Sequence, residues 1–253
     1  MKRFGLWVSL FGIVLMGCSK NNDVTGNSSV VTVTTAGTLA SLLGSSLKTR
    51  KILIVKGPID ARDFVTIRDS MPALTTLDLS ADTIVGYRGS LGTEGAKNTI
   101  YPANTIPPFA FYNAATQTNK TSLSTVSLPA KITDIGDSAF MNCTGITTLI
   151  IPSKVVSLDA GAFSGCSGLA DITIPSSVVF IGSYAFYHCS GLTTIEVNAT
   201  TPIDLSQSIS VFDGVETSSC VLYVPVGTKS TYQAATGWSV FSYISELGGG
   251  QAV

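Results

Sequence analysis

Five cysteines, a single histidine and 61 serines and threonines are the chemically active stock of this 253-residue chain. A zinc site needs several nitrogen or sulfur ligands, usually delivered as close Cys or His pairs. No Cys-x-x-Cys occurs and His188 stands alone, so metal chemistry lacks raw material. A Ser–His–Asp relay would have to use that same histidine, and no Ser-x-x-Lys stands in a suitable context. Gly89-Ser-Leu-Gly92-Thr-Glu-Gly95-Ala-Lys97 has the glycine density of a phosphate loop. Its spacing is wrong, because such a loop places Gly-Lys-Ser/Thr after four intervening residues. Asp134 and Asp137 are close in sequence, as the two carboxylates of a hydrolase pair are close in space. The repeat described below puts Ser157/Ala160 and Phe180/Ser183 at the same places, which marks solvated turn positions. A non-enzymatic protein without catalytic residues, metal or cofactor is expected.

Charged side chains make up 12% of the chain, 15 basic and 16 acidic, while 45% is hydrophobic. That balance excludes a disordered polyelectrolyte and argues against nucleic acid as a partner. The N-terminus carries an address. Met1-Lys2-Arg3 is followed by the apolar run Phe4–Gly17 and then Cys18. Fourteen residues rise only ~21 Å as a helix, short of a ~30 Å hydrocarbon core, so a secretory signal fits better than a membrane span. Leu15-Met16-Gly17-Cys18 resembles a bacterial lipobox, whose cysteine is acylated and becomes the new N-terminus. An ordinary signal peptide with a chance cysteine is the alternative. The reading is a lipoprotein signal at 1–17 and a polar tether at 18–29, with lipid attachment at Cys18 as the only membrane contact. Cleavage leaves 13 basic against 16 acidic groups, too even for electrostatic steering of a partner.

The elements that must position any site follow from an internal repeat. Leu123–Gly145, Ile146–Gly168 and Leu169–Gly191 superimpose without gaps at a period of 23. Pro129, Pro152 and Pro175 coincide, as do Ala139-Phe140, Ala162-Phe163 and Ala185-Phe186, and Cys143, Cys166 and Cys189. A fixed period in this range means a solenoid. Within a unit, Val126 and Leu128 alternate like a strand with one buried face, and Pro129 ends its ladder. Ile132 and Ile135 pack beneath, and Phe140 and Cys143 complete a core that only stacked neighbours can close. The pairs Leu53/Val55, Leu77/Leu79, Leu149/Ile151, Ile172/Ile174, Ile195/Val197 and Leu222/Val224 extend the strand pattern. One offset is too long by about a rung, which places an insertion at 81–105. Its Gly, Tyr and Thr content predicts a surface excursion. Thr38–Leu47 reads as a capping helix and Asp60–Met71 as a second helix. Regularity fails after Val197, so 198–253 reads as a degenerate last rung and an aromatic-rich cap.

The strand ending in Ile-Pro, the Ile-Gly turn, Ala-Phe and Cys resemble the BspA-type leucine-rich repeat family, from about Leu74 to Glu246. The resemblance implies an α/β solenoid: a short curved leucine-rich repeat with one parallel strand per rung, a helical N-terminal cap and an irregular C-terminal cap. The expected divisions are cap and first rung at 30–73, and solenoid at 74–197. It also implies a secreted or cell-surface protein, some relatives of which serve adhesion, and no catalytic residues to carry over.

Binding candidates then lie in two places. On the concave sheet, the residues between the strand apolars should point outward: Thr125, Ser127, Thr148, Asp171, Thr173, Thr194 and Glu196. This ladder is Thr-rich and mildly acidic, and it is expected to lack aromatics. The insertion offers Tyr87, Arg88 and Tyr101, residue types that concentrate binding energy, although a tolerated surface loop reads equally well. The four cysteines after Cys18 are expected to be buried thiols. Stacked rungs set them about 4.8 Å apart with parallel side chains, too far at Cβ for a bridge. The expected protein is monomeric, exported and anchored in the outer membrane, probing for a protein or glycan at the cell surface. A structural or accessory subunit of a surface complex is the competing reading.

Overall fold

The computed structural model describes residues 30–248, so the signal, the tether and Cys18 lie outside the described residues. Strands form where apolar residues alternate with polar ones: Leu149 and Ile151 are buried while Thr148 and Ile150 face out. Val30–Thr32, Ile52–Ile59, Thr76–Ile84 and Thr125–Ser127 make one parallel sheet in chain order. Thr148–Ile150, Asp171–Ile174, Thr194–Val197, Val221–Val224 and Tyr243–Glu246 make the next. Every strand pair read from the sequence is present. The first and last strands are additional, and neither carries the buried apolar pair that the pattern requires.

Each rung also carries more than the single strand expected. Thr105–Ile106, Asp134–Ile135, Ser157–Leu158 and Phe180–Ile181 form a second parallel sheet of two-residue strands. Backbone groups on every side of a stacked rung must find partners, and the following turn supplies them as well: Phe140 N donates to Ala162 O at 2.8 Å and Phe163 N to Ala185 O at 2.9 Å. Close stacking explains the glycine that ends each unit. A Cβ on Gly168 would sit 2.1 Å from the Thr144 carbonyl oxygen of the preceding rung. It also explains His188. Asn142, Gly165, His188 and Gly214 share a left-handed turn position with φ of 55°, 73°, 54° and 82°, a conformation that Gly, Asn and His tolerate best.

The core is a column of rings. Phe111, Phe140, Phe163, Phe186 and Phe212 follow one another at centroid distances of 4.8, 5.4, 5.5 and 5.7 Å. Phe64 closes the column edge-on at 6.0 Å, and Trp238 and Phe241 close it at 5.3 and 5.0 Å. The rung expected to be degenerate is therefore complete: Val211-Phe212 takes the Ala-Phe place and Val215 the cysteine place. Three extra residues and the valines hide it from the period.

Helix α1 spans only Leu39–Leu43 and continues as a 3-10 turn over Gly44–Lys48. Its α-helical part stops at Gly44, whose φ of 51° and ψ of −129° leave the helical region; at its start Thr38 makes no side-chain cap, and its hydroxyl donates to Thr35 O instead. Asp63 substitutes, accepting from Leu39 N at 2.9 Å and Gly37 N at 2.6 Å. Helix α2, Ala61–Ser70, matches expectation and carries a reciprocal capping box between Asp60 and Asp63.

One buried carboxyl makes stability pH-dependent. Asp82 is 6% exposed, and neither of its oxygens has a side-chain hydrogen-bond partner among the described residues. Burial, with the charges of Asp78 and Asp63, pushes its pKa up to about 7. The unfolded chain releases this proton nearer pH 4, so the folded state binds more protons between those values and loses stability as pH rises through 7. Asp82→Asn is expected to raise the melting temperature at pH 8 and to leave it little changed at about pH 4. An equal shift at both pH values would refute the assignment.

Candidate binding surface

The outward positions of the strands line up in two rows because the register is continuous. Asp171, Thr194, Val221 and Tyr243 are paired neighbours in one, and Ile150, Thr173, Glu196, Tyr223 and Ser245 in the other. Thr76 pairs Thr125 and Asp78 pairs Ser127 in the first sheet. Thr125, Ser127, Thr148, Asp171 and Thr173 are exposed, and Thr194 and Glu196 half-buried. The fold thus brings all of these sequence-derived candidates onto one face.

It adds two residues the sequence reading missed. Tyr223 lies half-buried beside Glu196, and Tyr243 is 59% exposed at the end of the sheet. The face does carry aromatics. Tyr223 was legible, since it lies between the strand residues Leu222 and Val224. Tyr243 was not, because Ile244 is the one buried apolar residue of its strand. A hollow of about 270 Å³ lies over Ile150, Asp171, Thr173 and Glu196, and a second of about 320 Å³ lies among Tyr223, Tyr243, Lys229 and Gln233. Helix α3, Lys229–Ala234, walls the second; Glu246 Oε1 holds its start by accepting from Gly227 N at 2.9 Å.

The insertion is placed elsewhere. Tyr87–Gly89 and Thr99–Tyr101 form an antiparallel hairpin that docks on α2, on the crossover side of the solenoid. Tyr101 is 3% exposed; its ring packs on Gly92 and its hydroxyl accepts from Glu94 N at 2.9 Å. Tyr87 lies between that ring, at 5.9 Å, and the Arg62 guanidinium, at 4.7 Å. The two tyrosines expected to be presented to a partner instead pack the hairpin onto the body. Arg88 remains exposed opposite Ile100. The excursion is thus a structured element with a small core of its own.

The other chemical candidates are occupied structurally. Cys143, Cys166, Cys189 and Cys220 are buried and unbridged. Cys166 and Cys189 Sγ donate to Phe140 O and Phe163 O, each at 3.0 Å. Burial pushes the Cys143 and Cys189 thiols up to about 12 and Cys220 to about 11, so they stay protonated and unreactive. Asp137 accepts from Ala160 N of the next rung at 2.9 Å, and Asp134, which lies half-buried on a two-residue strand rather than in a solvated turn, accepts from Thr133 Oγ1 at 2.6 Å. A hollow of about 540 Å³ lies beside Arg68, Asp69 and Lys120. Burial pushes Lys120 down to about 8, and its ammonium donates to Met71 O. Among the described residues no three His, Cys, Asp or Glu side chains are grouped to hold a metal ion, and no helix is long and apolar enough to cross a membrane.

Stacked parallel strands, one apolar column and repeated turns define a short α/β solenoid of the leucine-rich-repeat class. Residues 104–209 match the family described as BspA type leucine rich repeat region, in six copies. No curated protein matches the chain. Among solved structures it is similar to a leucine-rich repeat protein from Bacteroides ovatus, at 26% identity and TM-score 0.42, over 60% of this chain and 39% of that one. The chain therefore spans about two-fifths of that relative's length. It is also similar to a leucine rich cell surface protein from Faecalibacterium prausnitzii, at 15% identity and TM-score 0.25, over 88% of this chain and 79% of that one. Both TM-scores are low, so the fold assignment rests on the rungs themselves.

Proposed function

We propose that this protein is a non-enzymatic interaction module of the cell envelope, held by a lipid on Cys18 and presenting its concave sheet to a protein or glycan. The observation that carries the reading is the pair of outward rows. Backbone groups along these strands are used in pairing the rungs, so the exposed side chains are what a partner meets. The lipobox-like Leu15–Cys18 and the polar tether after it support export and anchoring. The burial of the thiols and the structural hydrogen bonds of Asp134 and Asp137 support a binding role over chemistry.

Protease treatment of intact cells, with a Cys18→Ala variant alongside, tests the placement. The expected outcome is loss of the protein from intact cells and release of the variant from membranes. Protection until the outer membrane is breached would exclude surface display, and membrane retention of the variant would exclude the lipid anchor.

A further inference from the structure

We infer that the concave face takes a neutral glycan chain laid across the strands, with Tyr223 and Tyr243 packing on its sugar rings. The inference rests on the proposal that this face is the binding surface and names the class of its occupant. Three features of the trough select a glycan.

The first is composition. The centre of the face is Thr148, Asp171, Thr173, Thr194 and Glu196, without arginine, tryptophan or phenylalanine. Acidic residues are depleted from the cores of protein interfaces, where aromatics and Arg concentrate, and Ser and Thr are under-represented among their hot spots. Hydroxyls and carboxylates are the groups that exchange hydrogen bonds with the hydroxyls of a sugar, and charge-assisted bonds to a carboxylate are the stronger kind.

The second is shape. Thr194 pairs Val221 and Glu196 pairs Tyr223, so the hollows of about 270 and 320 Å³ follow one another across neighbouring strands and set the line of the trough. Parallel strands repeat every ~4.8 Å, a spacing comparable to the width of a pyranose ring, so successive sugars meet successive rungs. Tyr243, 59% exposed, and half-buried Tyr223 line the hollow at one end, and Ile150, 83% exposed, gives an apolar contact at the other. Each aromatic keeps a hydroxyl for the polar side of the ring it packs against.

The third is charge. Asp171 and Glu196 stand in the trough, and Lys229 is the cation at its rim. Fixed carboxylates repel sulfated, sialylated or uronate-rich chains as they repel nucleic acid. Neutral glycans meet no such penalty.

The full chain is applied to an array holding neutral oligosaccharides (mannan, β-glucan and xylan fragments) beside heparin, chondroitin sulfate and sialylated glycans. Any neutral hit is then titrated calorimetrically against Tyr223→Ala and Tyr243→Ala. The expected result is binding to a neutral series that is insensitive to salt. Each alanine variant should weaken it about tenfold, the scale of one lost ring stack, with an unchanged melting temperature. Binding confined to the charged glycans, no neutral binding at millimolar concentration, or full affinity in both variants would each overturn the inference. Because the assay uses purified protein, a failed surface-exposure experiment leaves this result standing. Conversely, a defined protein ligand lost in Tyr243→Ala, without neutral glycan binding, would retain the concave face and refute the glycan.

Discussion

Replacing Phe163 by alanine is expected to destabilise the protein by about 3–5 kcal/mol, the usual cost of truncating a buried phenylalanine. Phe163 is 1% exposed. Its ring lies 5.4 Å from Phe140 and 5.5 Å from Phe186, with interplanar angles of 12° and 9°. Alanine removes both stacks and leaves a void that the flanking rungs cannot fill, because each is held by its own backbone bonds. The loss is comparable with the whole stability of many domains, about 5–15 kcal/mol. At this chain length it corresponds to a fall in melting temperature of roughly 2–4 °C per kcal/mol. In a solenoid each rung contacts only its neighbours, so the deletion also weakens the coupling of the two halves. Circular dichroism melts should show a lower and broader transition. Phe180→Ala is the matched control: that ring is 47% exposed, and its loss is expected to cost less than about 1 kcal/mol. Equal effects of the two substitutions would refute the ring column as the structural core.

Arg68→Met is expected to cost about 2–3 kcal/mol, the scale of leaving partly buried carbonyl acceptors without their charged donor. The Arg68 side chain is 7% exposed. Its Nη1 donates to Thr93 O at 2.9 Å, Phe109 O at 3.0 Å and Tyr112 O at 3.3 Å. Its Nε and Nη2 donate to the Asp69 carboxylate at 2.7 and 2.9 Å. One side chain on α2 thereby fastens the insertion and the first turn of the next rung. Methionine fills the volume but donates nothing, so three carbonyls and a carboxylate lose a donor. Lysine restores the charge without the planar fork and should recover only part of the loss. The pH dependence provides a second readout. Burial raises the Asp69 pKa, but hydrogen bonds from Arg68 and Asn113 and the charge of Arg68 outweigh it and hold the carboxyl below its usual range. That stabilisation is complete above the unfolded pKa of ~3.9 and fades as pH falls through the folded value. The gap between wild type and Arg68→Met in urea midpoint should therefore narrow in acid, and hydrogen exchange should speed up in the 87–101 hairpin. A change within about 0.5 kcal/mol at pH 7 would rule the anchor out.

These two sites differ in how far the sequence exposed them. Phe163 was legible at once, since it recurs with Phe140 and Phe186 at a fixed offset beside Ala and before Cys. A rung needs the same residue types as its neighbours to continue their column, so local composition and period carry that information. Arg68 shows no such signal. Its acceptors lie 25, 41 and 44 residues away, in segments that break the period. The same distinction runs through the binding face. Thr125, Ser127, Thr148, Asp171, Thr173, Thr194 and Glu196 followed from alternation. Tyr243 did not, and the pairing of Tyr87 with Tyr101 beneath Arg62 could not be read from the composition of the loop.

The sequence alone therefore determined the stacking, the strand positions, the buried Phe and Cys columns and the outward ladder, because each arises from contacts between equivalent residues one period apart. Only the tertiary structure decided that Phe212 continues the column, that the insertion folds back on α2, and that Tyr243 joins the outward face. Those arrangements join segments that share no period, and their register is set by backbone pairing and by single long-range contacts with no counterpart in neighbouring units.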